Sequence, residues 1–297
     1  MIIIERINAV VPTNDYVFKR IFGRVGNEEI TKSFINSILD TKIESVNLEG
    51  NTILEKDLLD DKVGILDIKA KLDNEVLCDI EMQVLNYKNI DKRIMFYWSK
   101  LYSSNIKSGQ NYNSLKKTIS ILIANFEMEN LNKIPKGHTE WKIREKNFSK
   151  IVLTNVFELH IIELPKIKRL KKEKNLEKWI KLLLNPDELG EFDMENDEAI
   201  KKAKEELDKL SQDEYEIRLA ELRMKHIMDS KAIEDYGYDK GLEEGLKQGI
   251  EQGIEQGIEQ GLEQAKIEIA KRMLEQGKSI EEIMELTELS KEDIEAI

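Results

Sequence analysis

A single cysteine, Cys78, stands among 297 residues, so no disulfide can form within the chain, and a reducing cytoplasm is the expected setting. Three histidines beside that one cysteine are too few for a structural zinc site. A site of carboxylates for a hard cation is left open. No apolar run approaches the roughly 18–20 residues that a membrane span needs. The opening Met1-Ile2-Ile3-Ile4-Glu5 lacks the charged, apolar and small-residue regions of a secretory signal. These absences point to a soluble chain with neither a membrane partner nor a small-molecule cofactor.

What is present is charge. Charged residues make up 35% of the chain and hydrophobic ones 40%, the balance of a globular protein rich in surface helix. A net charge of −12 argues at first against nucleic acid, but the way that charge is distributed argues the other way. Residues 1–130 hold 17 Lys/Arg against 19 Asp/Glu, residues 131–182 hold 14 against 6, and residues 183–297 hold 15 against 33. The first 182 residues are therefore net +6, and the acidity lies in the tail. Beyond a Debye length of roughly 8 Å that tail is largely screened, so a basic face can still meet phosphate. A merely solvated basic surface is the plainer alternative.

Along the chain, Asn14 or Asp15 can cap a short helix whose apolar face carries Tyr16, Phe18, Ile21 and Phe22. Residues 28–39 have helical spacing, and 43–48 suit a short strand. Residues 63–72 and 76–84 alternate with period two, the mark of half-buried strands, and Asp73-Asn74-Glu75 makes the turn between them. Residues 90–107 suit a helix in which Trp98 and Tyr102 are core. Residues 117–126 and 151–162 suit buried strands, Glu163-Leu164-Pro165 closes the core, and 175 to about 235 suits amphipathic helix. An α/β core with a helical extension follows.

From Gly237 to Gly261 glycine recurs every fourth residue. Four residues turn a helix by about 400°, so the stripe winds by about 40° per repeat and cannot make a heptad seam. Seven glycines cost roughly 6 kcal/mol relative to alanine, which makes this helix marginal unless a partner supports it. Ser279 with Glu282, and Ser290 with Asp293, resemble capping boxes of a terminal hairpin. Half of a helix-turn-helix is one reading of it; without a basic recognition helix, packing or protein contact is the expectation.

The alternating pair can be registered by arithmetic. Apolar residues must face apolar ones, which requires an even index sum, and a three-residue loop gives 148. Leu72 then faces Val76, Ala70 faces Cys78, Ile68 faces Ile80, Lys69 faces Asp79, and Asp67 faces Glu81. Two facing carboxylates repel by up to about 1 kcal/mol, and a divalent cation would convert that repulsion into attraction. Asp67, Glu81 and the Met82 carbonyl could hold Mg²⁺ or Mn²⁺ and leave positions for water and phosphate. A solvated sheet face, its acids neutralised by Lys69 and Lys71, is the alternative.

Asp67 followed by Glu81-Met82-Gln83 resembles the core motif of the PD-(D/E)XK nuclease superfamily. More closely, the chain resembles the Rpn recombination-promoting nucleases, also described as PD-(D/E)XK nuclease family transposases. The resemblance runs through Asn14-Asp15-Tyr16-Val17-Phe18-Lys19-Arg20-Ile21-Phe22-Gly23, Ile65-Leu66-Asp67-Ile68, Ile80-Glu81-Met82-Gln83, Arg93 to Tyr97 with Lys100-Leu101-Tyr102, Gly109 to Tyr112, His160 to Lys166 and the glycine tail. It implies metal ligation by Asp67 and Glu81, with Asp15 a further acid nearby. Gln83 replaces the superfamily's lysine; it can orient water but brings no charge, and Lys69 or Lys19 could substitute. Arg93 is either a phosphate contact or a surface salt bridge.

The expected architecture is a restriction-endonuclease-like α/β core over 1–168, a helical extension over 169–236, a repeat helix over 237–275 and a terminal hairpin over 276–297. The implied activity is Mg²⁺-dependent DNA endonuclease in recombination or mobile-element processing. Phosphate would be met by Lys19, Lys69, Arg93, Lys166, Lys168, Arg169, Lys171 and Lys172, and copies would associate through the C-terminal helix. A non-catalytic, nuclease-derived DNA-binding or assembly protein is the rival, and an RNA-directed nuclease would share the site.

Overall fold

A computed structural model describes residues 9–50, 58, 67–73, 75–86, 89–170 and 176–297. Its contacts divide the chain into one unit over 1–231 and a second over 232–297. Among the described residues no helix is long and apolar enough to cross a membrane.

The first unit is built on a six-stranded mixed sheet in the order β1-β2-β3-β4-β6-β5. Its strands are β1 (Val46–Leu48), β2 (Ile68–Leu72), β3 (Val76–Gln83), β4 (Thr118–Ala124), β5 (His138–Trp141) and β6 (Phe157–Glu163). β2 and β3 are antiparallel with Leu72 opposite Val76, Ala70 opposite Cys78, Ile68 opposite Ile80 and Lys69 opposite Asp79, the register expected from the index sum. Asp73, at φ 48°, turns between them and accepts backbone hydrogen bonds from Glu44 and Ser45. β3, β4 and β6 run parallel, which is why β4 and β6 are buried along their whole length. Residues 63–66 of the expected first strand lie outside the described residues.

The alternation of β2 and β3 separates two apolar clusters. Ile68, Ala70, Leu72, Cys78, Ile80 and Met82 join the larger cluster with α1 (Asp15–Phe22), α2 (Glu28–Ile38), α5 (Glu177–Leu184) and α7 (Glu198–Gln212). Phe18, Phe22, Phe34 and Trp179 stack at its centre with centroids 4.5–6.1 Å apart. On the other face Leu122, Ala124, Phe157, Leu159 and Ile161 lie under Ile90 and Ile94 of α3 (Ile90–Ser103). Trp98 packs there as expected, donating to the Thr118 carbonyl at 3.0 Å.

Three elements depart from the sequence reading. β5 was not foreseen, because its residues, His138-Thr139-Glu140-Trp141, carry little apolar signal. β6 begins at Phe157, later than the expected 151. Pro165 does not end the chain's order; it falls in the first turn of α4 (Leu164–Leu170), where its missing N–H costs nothing. The expected extension belongs to the same packed body, for Ile200, Ala203, Leu207, Leu210, Leu219 and Ala220 all lie in the larger core.

The glycine repeat lies in α8 (Glu214–Glu275), a helix of 62 residues. A Cβ added at any of its seven glycines would meet nothing within 4 Å. In the second unit, α9 (Ile280–Thr287) and α10 (Lys291–Glu295) both start with the expected capping boxes. Ala270, Ile283 and Ile294 form their small core.

Candidate active site

Asp79, Glu81 and Gln83 alternate onto one face of β3, and Asp67 immediately precedes β2, one step past the Ile68–Ile80 pair. Extending that register brings Asp67 opposite Glu81. All four are buried, Asp67 and Gln83 at 7%, Glu81 at 8% and Asp79 at 4% exposure. Burial raises the Asp67 carboxyl above its ordinary value, although Arg93 and Lys19 pull the other way. Burial and the neighbouring Asp67 push Glu81 up to about 7 despite its Arg93 partner. Asp79 is raised well above the carboxylate range by burial, then by Asp67 and Glu81. Among the described residues its Oδ1 is buried with no hydrogen-bond partner.

The Gln83 carbonyl accepts from Asn125 N–H on the β4 side. Carbonyls alternate along a strand, so Met82's is directed toward the β2 side, where Asp67 lies. The Gln83 amide donates to the Leu85 carbonyl at 3.0 Å. Arg93 donates to Glu81 Oε1 at 3.0 Å and sits 5.2 Å from the Tyr97 ring. The pair joins Arg93 to a buried acid of the candidate site, where the sequence suggests a phosphate contact or a surface salt bridge.

Helix α1 brings the next residues. Lys19, buried at 5% exposure, donates from Nζ to the Asp67 backbone carbonyl at 2.8 Å. Burial lowers it to about 8, against the pull of Asp67. Gly23 lets α1 come this close: a Cβ there would lie 2.9 Å from Ile68 Cγ1. Asp15 is held by Arg223 of α8, with contacts of 2.6 and 3.0 Å, and Arg223 also donates to the Leu58 carbonyl. Asp15 is thus an acid already engaged by a cation, which the motif did not disclose.

The expected phosphate contacts divide. Lys69 is exposed opposite Asp79, and Lys168 is exposed. Arg169 is exposed and bonded to Glu127 at 2.8 Å. Lys166 is a correction: it is 2% exposed and donates to the Leu131 carbonyl at 2.7 Å and to Glu163 at 3.1 Å, so it is a structural cation out of reach of phosphate. Lys171 and Lys172 lie outside the described residues.

A second polar cluster escaped the sequence reading. Glu140 of β5 with Glu158 and His160 of β6 bring ligand atoms within 4.8 Å of one another. His160 bonds Glu158 at 2.9 Å and His138 at 2.9 Å. Lys117 pairs with Glu158 at 2.8 Å, and Lys142 pairs with Glu140. These acids already have their cations.

A family model described as PD-(D/E)XK nuclease family transposase matches residues 12–237. The chain belongs to that family. A second model, Rpn/YhgA-like nuclease family, C-terminal HTH domain, matches residues 263–297. No curated protein and no solved structure matches the chain. This member of the family therefore carries a nuclease-type core of the expected α/β class. The terminal hairpin, for which packing or protein contact was the expectation in the absence of a basic recognition helix, lies within the residues that match the helix-turn-helix model.

The acidic group on β2 and β3 fits a hard divalent cation. Its donors are carboxylate and carbonyl oxygens, one carboxylate oxygen is orphaned in the interior, and the acids stay raised despite Arg93, Lys19 and Lys69.

Proposed function

We propose that this family member is a divalent-metal-dependent DNA endonuclease, with Asp67 and Glu81 holding Mg²⁺ or Mn²⁺ together with the Met82 carbonyl. The observation that carries the reading is a buried pair of acids, Asp67 one step beyond the Ile68–Ile80 pair and Glu81 one step beyond it on β3, beside an Asp79 oxygen without a partner among the described residues. The ion, when bound, supplies charge stabilisation at phosphate and a more acidic water. Arg93 engages Oε1 of Glu81, which leaves Oε2 as the ligating oxygen. Gln83, its amide anchored on Leu85, retains Oε1 to accept a hydrogen bond from water. Lys19 provides the fixed positive charge that Gln83 lacks, reaching the site from α1. The helix-turn-helix domain supports DNA as the substrate, and family membership supports a role in recombination or mobile-element processing. The open space beside each glycine of the repeat supports self-association of copies through α8.

Cleavage of plasmid DNA with Mg²⁺ tests the reading. Wild type should cut, and Asp67→Ala and Glu81→Ala should not. Equal cleavage by all three, or none from pure wild type over broad conditions, discards it. Two observations favour a non-catalytic DNA-binding protein instead: Arg93 already engages Glu81, and Gln83, the position after Met82, carries no charge. That reading expects tight DNA binding with no metal-dependent cleavage.

A further inference from the structure

Between β5 and β6 the chain makes a two-stranded ribbon. Arg144 and Val152 form an antiparallel bridge, Leu153 N–H donates to the Ile143 carbonyl at 3.0 Å, and Glu145 N–H donates to the Ile151 carbonyl at 3.1 Å. Arg144 ties the turn by donating to the Ser149 carbonyl at 2.9 Å, and Glu145 accepts from Asn147 N–H at 2.7 Å. Residues 142–150 contain Lys142, Arg144, Lys146 and Lys150 against the single acid Glu145, a net +3 on a chain of −12. Lys142 is committed to Glu140. Neither Lys146 nor Lys150 has an ion pair among the described residues.

The same ribbon exposes apolar side chains that packing would ordinarily cover. Phe148 is 66% exposed, Ile151 60% and Leu153 77%. Trp141 at the ribbon's root is also exposed. Large apolar side chains left exposed among charges of mainly one sign suit an interaction surface, and the sign selects an anionic partner.

We propose that the β5–β6 ribbon is a duplex-DNA contact, with Arg144, Lys146 and Lys150 on the phosphates and Phe148 at the groove. It rests on the reading of the chain as a protein that acts on DNA, and extends it to a surface separate from the acidic site. β6 begins level with Leu77 of β3, through Thr118. The ribbon therefore leaves the sheet at the end remote from Glu81, three strands across from β3. It governs affinity and leaves the site's own chemistry intact.

The test compares the full chain with the variant Arg144→Gln/Lys146→Gln/Lys150→Gln. A labelled duplex of about 30 base pairs is titrated in Ca²⁺ between about 50 and about 200 mM salt. Three lost phosphate contacts should flatten the slope of log affinity against log salt by about 2–3 and weaken binding about tenfold or more. Lys146→Gln/Lys150→Gln leaves the Arg144–Ser149 bond intact and should show about two-thirds of that change in slope. Single-turnover cleavage at saturating DNA should keep its wild-type rate while KM rises.

A wild-type slope and affinity in the double variant overturns the proposal. So does a wild type that binds no duplex, a loss confined to single strands, or a ribbon that takes up an acidic protein while duplex affinity stays unchanged. If the variants weaken binding as expected but no form of the chain cleaves, the ribbon stands and the nuclease reading falls.

Discussion

Two groups of buried acids sit in one sheet and differ in how their charge is met. Glu158 on β6 is hydrogen-bonded by His160 and Lys117, and these outweigh burial to hold its carboxyl at about 2. Asp67, Asp79 and Glu81 at β2 and β3 are all raised, because burial and mutual repulsion exceed what Arg93, Lys19 and Lys69 return. By proximity of ligand atoms alone, the Glu140–Glu158–His160 cluster is the better cation site. By charge balance it is a completed ion-pair network, and the deficit lies on β2–β3. Buried acids short of positive charge mark functional sites more reliably than acids that are merely close.

The largest expected effect separates the two groups by activity. Asp67→Ala or Glu81→Ala should lower Mg²⁺-dependent cleavage by about 10³-fold or more, while Glu158→Gln stays near wild type, measured on plasmid DNA at matched folded fraction. Loss of activity in Glu158→Gln with retention in Asp67→Ala would invert the comparison.

Glu163 extends the satisfied class, since Lys166 and the Met128 N–H both bond it. Lys166→Met would leave that acid buried without its cation and should cost about 3–5 kcal/mol by denaturant unfolding. The salt dependence of DNA binding should not change, contrary to what a phosphate-contacting lysine would give.

The two groups should also answer pH in opposite directions. A carboxyl raised by folding binds its proton more tightly in the folded state, so its contribution is full below the unfolded value and lost as pH rises. For Glu81 that window runs from its ordinary 4.5 to about 7. Glu158 contributes above its ordinary 4.5 and loses that contribution as pH falls toward about 2. Burial, His160 and Lys136 lower His138 from 6.5 to about 4, so its share is lost as pH falls through that interval. Thermal midpoints in chelator from about pH 2 to about pH 8 should show Asp79→Asn and Glu158→Gln altering opposite limbs. Added Mg²⁺ should stabilise the wild type most on the alkaline side, where the acids can ligate. The smallest effect is a gain: Asp79→Asn replaces a buried carboxyl whose Oδ1 has no partner among the described residues and which repels Asp67 and Glu81 when ionised, and it should stabilise the metal-free chain by about 1–2 kcal/mol in denaturant unfolding.

Much of this was readable because strand alternation is strict. The index sum of 148 held at every pair from Ile68–Ile80 to Leu72–Val76, since a slip of one residue would have put Leu72 and Cys78 in solvent. Asp79 was legible by the same alternation, on the same face as Glu81, yet its burial depends on α3 and β4, which local pattern does not reveal. Arg223 reaches Asp15 from 208 residues away, and no spacing rule reports a contact at that separation. Lys166 looked like part of a basic surface because its neighbours Lys168, Arg169, Lys171 and Lys172 are basic. Only the fold, which tucks its ammonium between Leu131 and Glu163, distinguishes it.

The most direct test is anomalous diffraction from crystals of the full chain soaked in Mn²⁺. An ion between Asp67 and Glu81 that disappears in Asp67→Ala and persists in Glu158→Gln is the predicted result. An ion seated on Glu140, Glu158 and His160, with β2–β3 empty at saturating Mn²⁺, would contradict it.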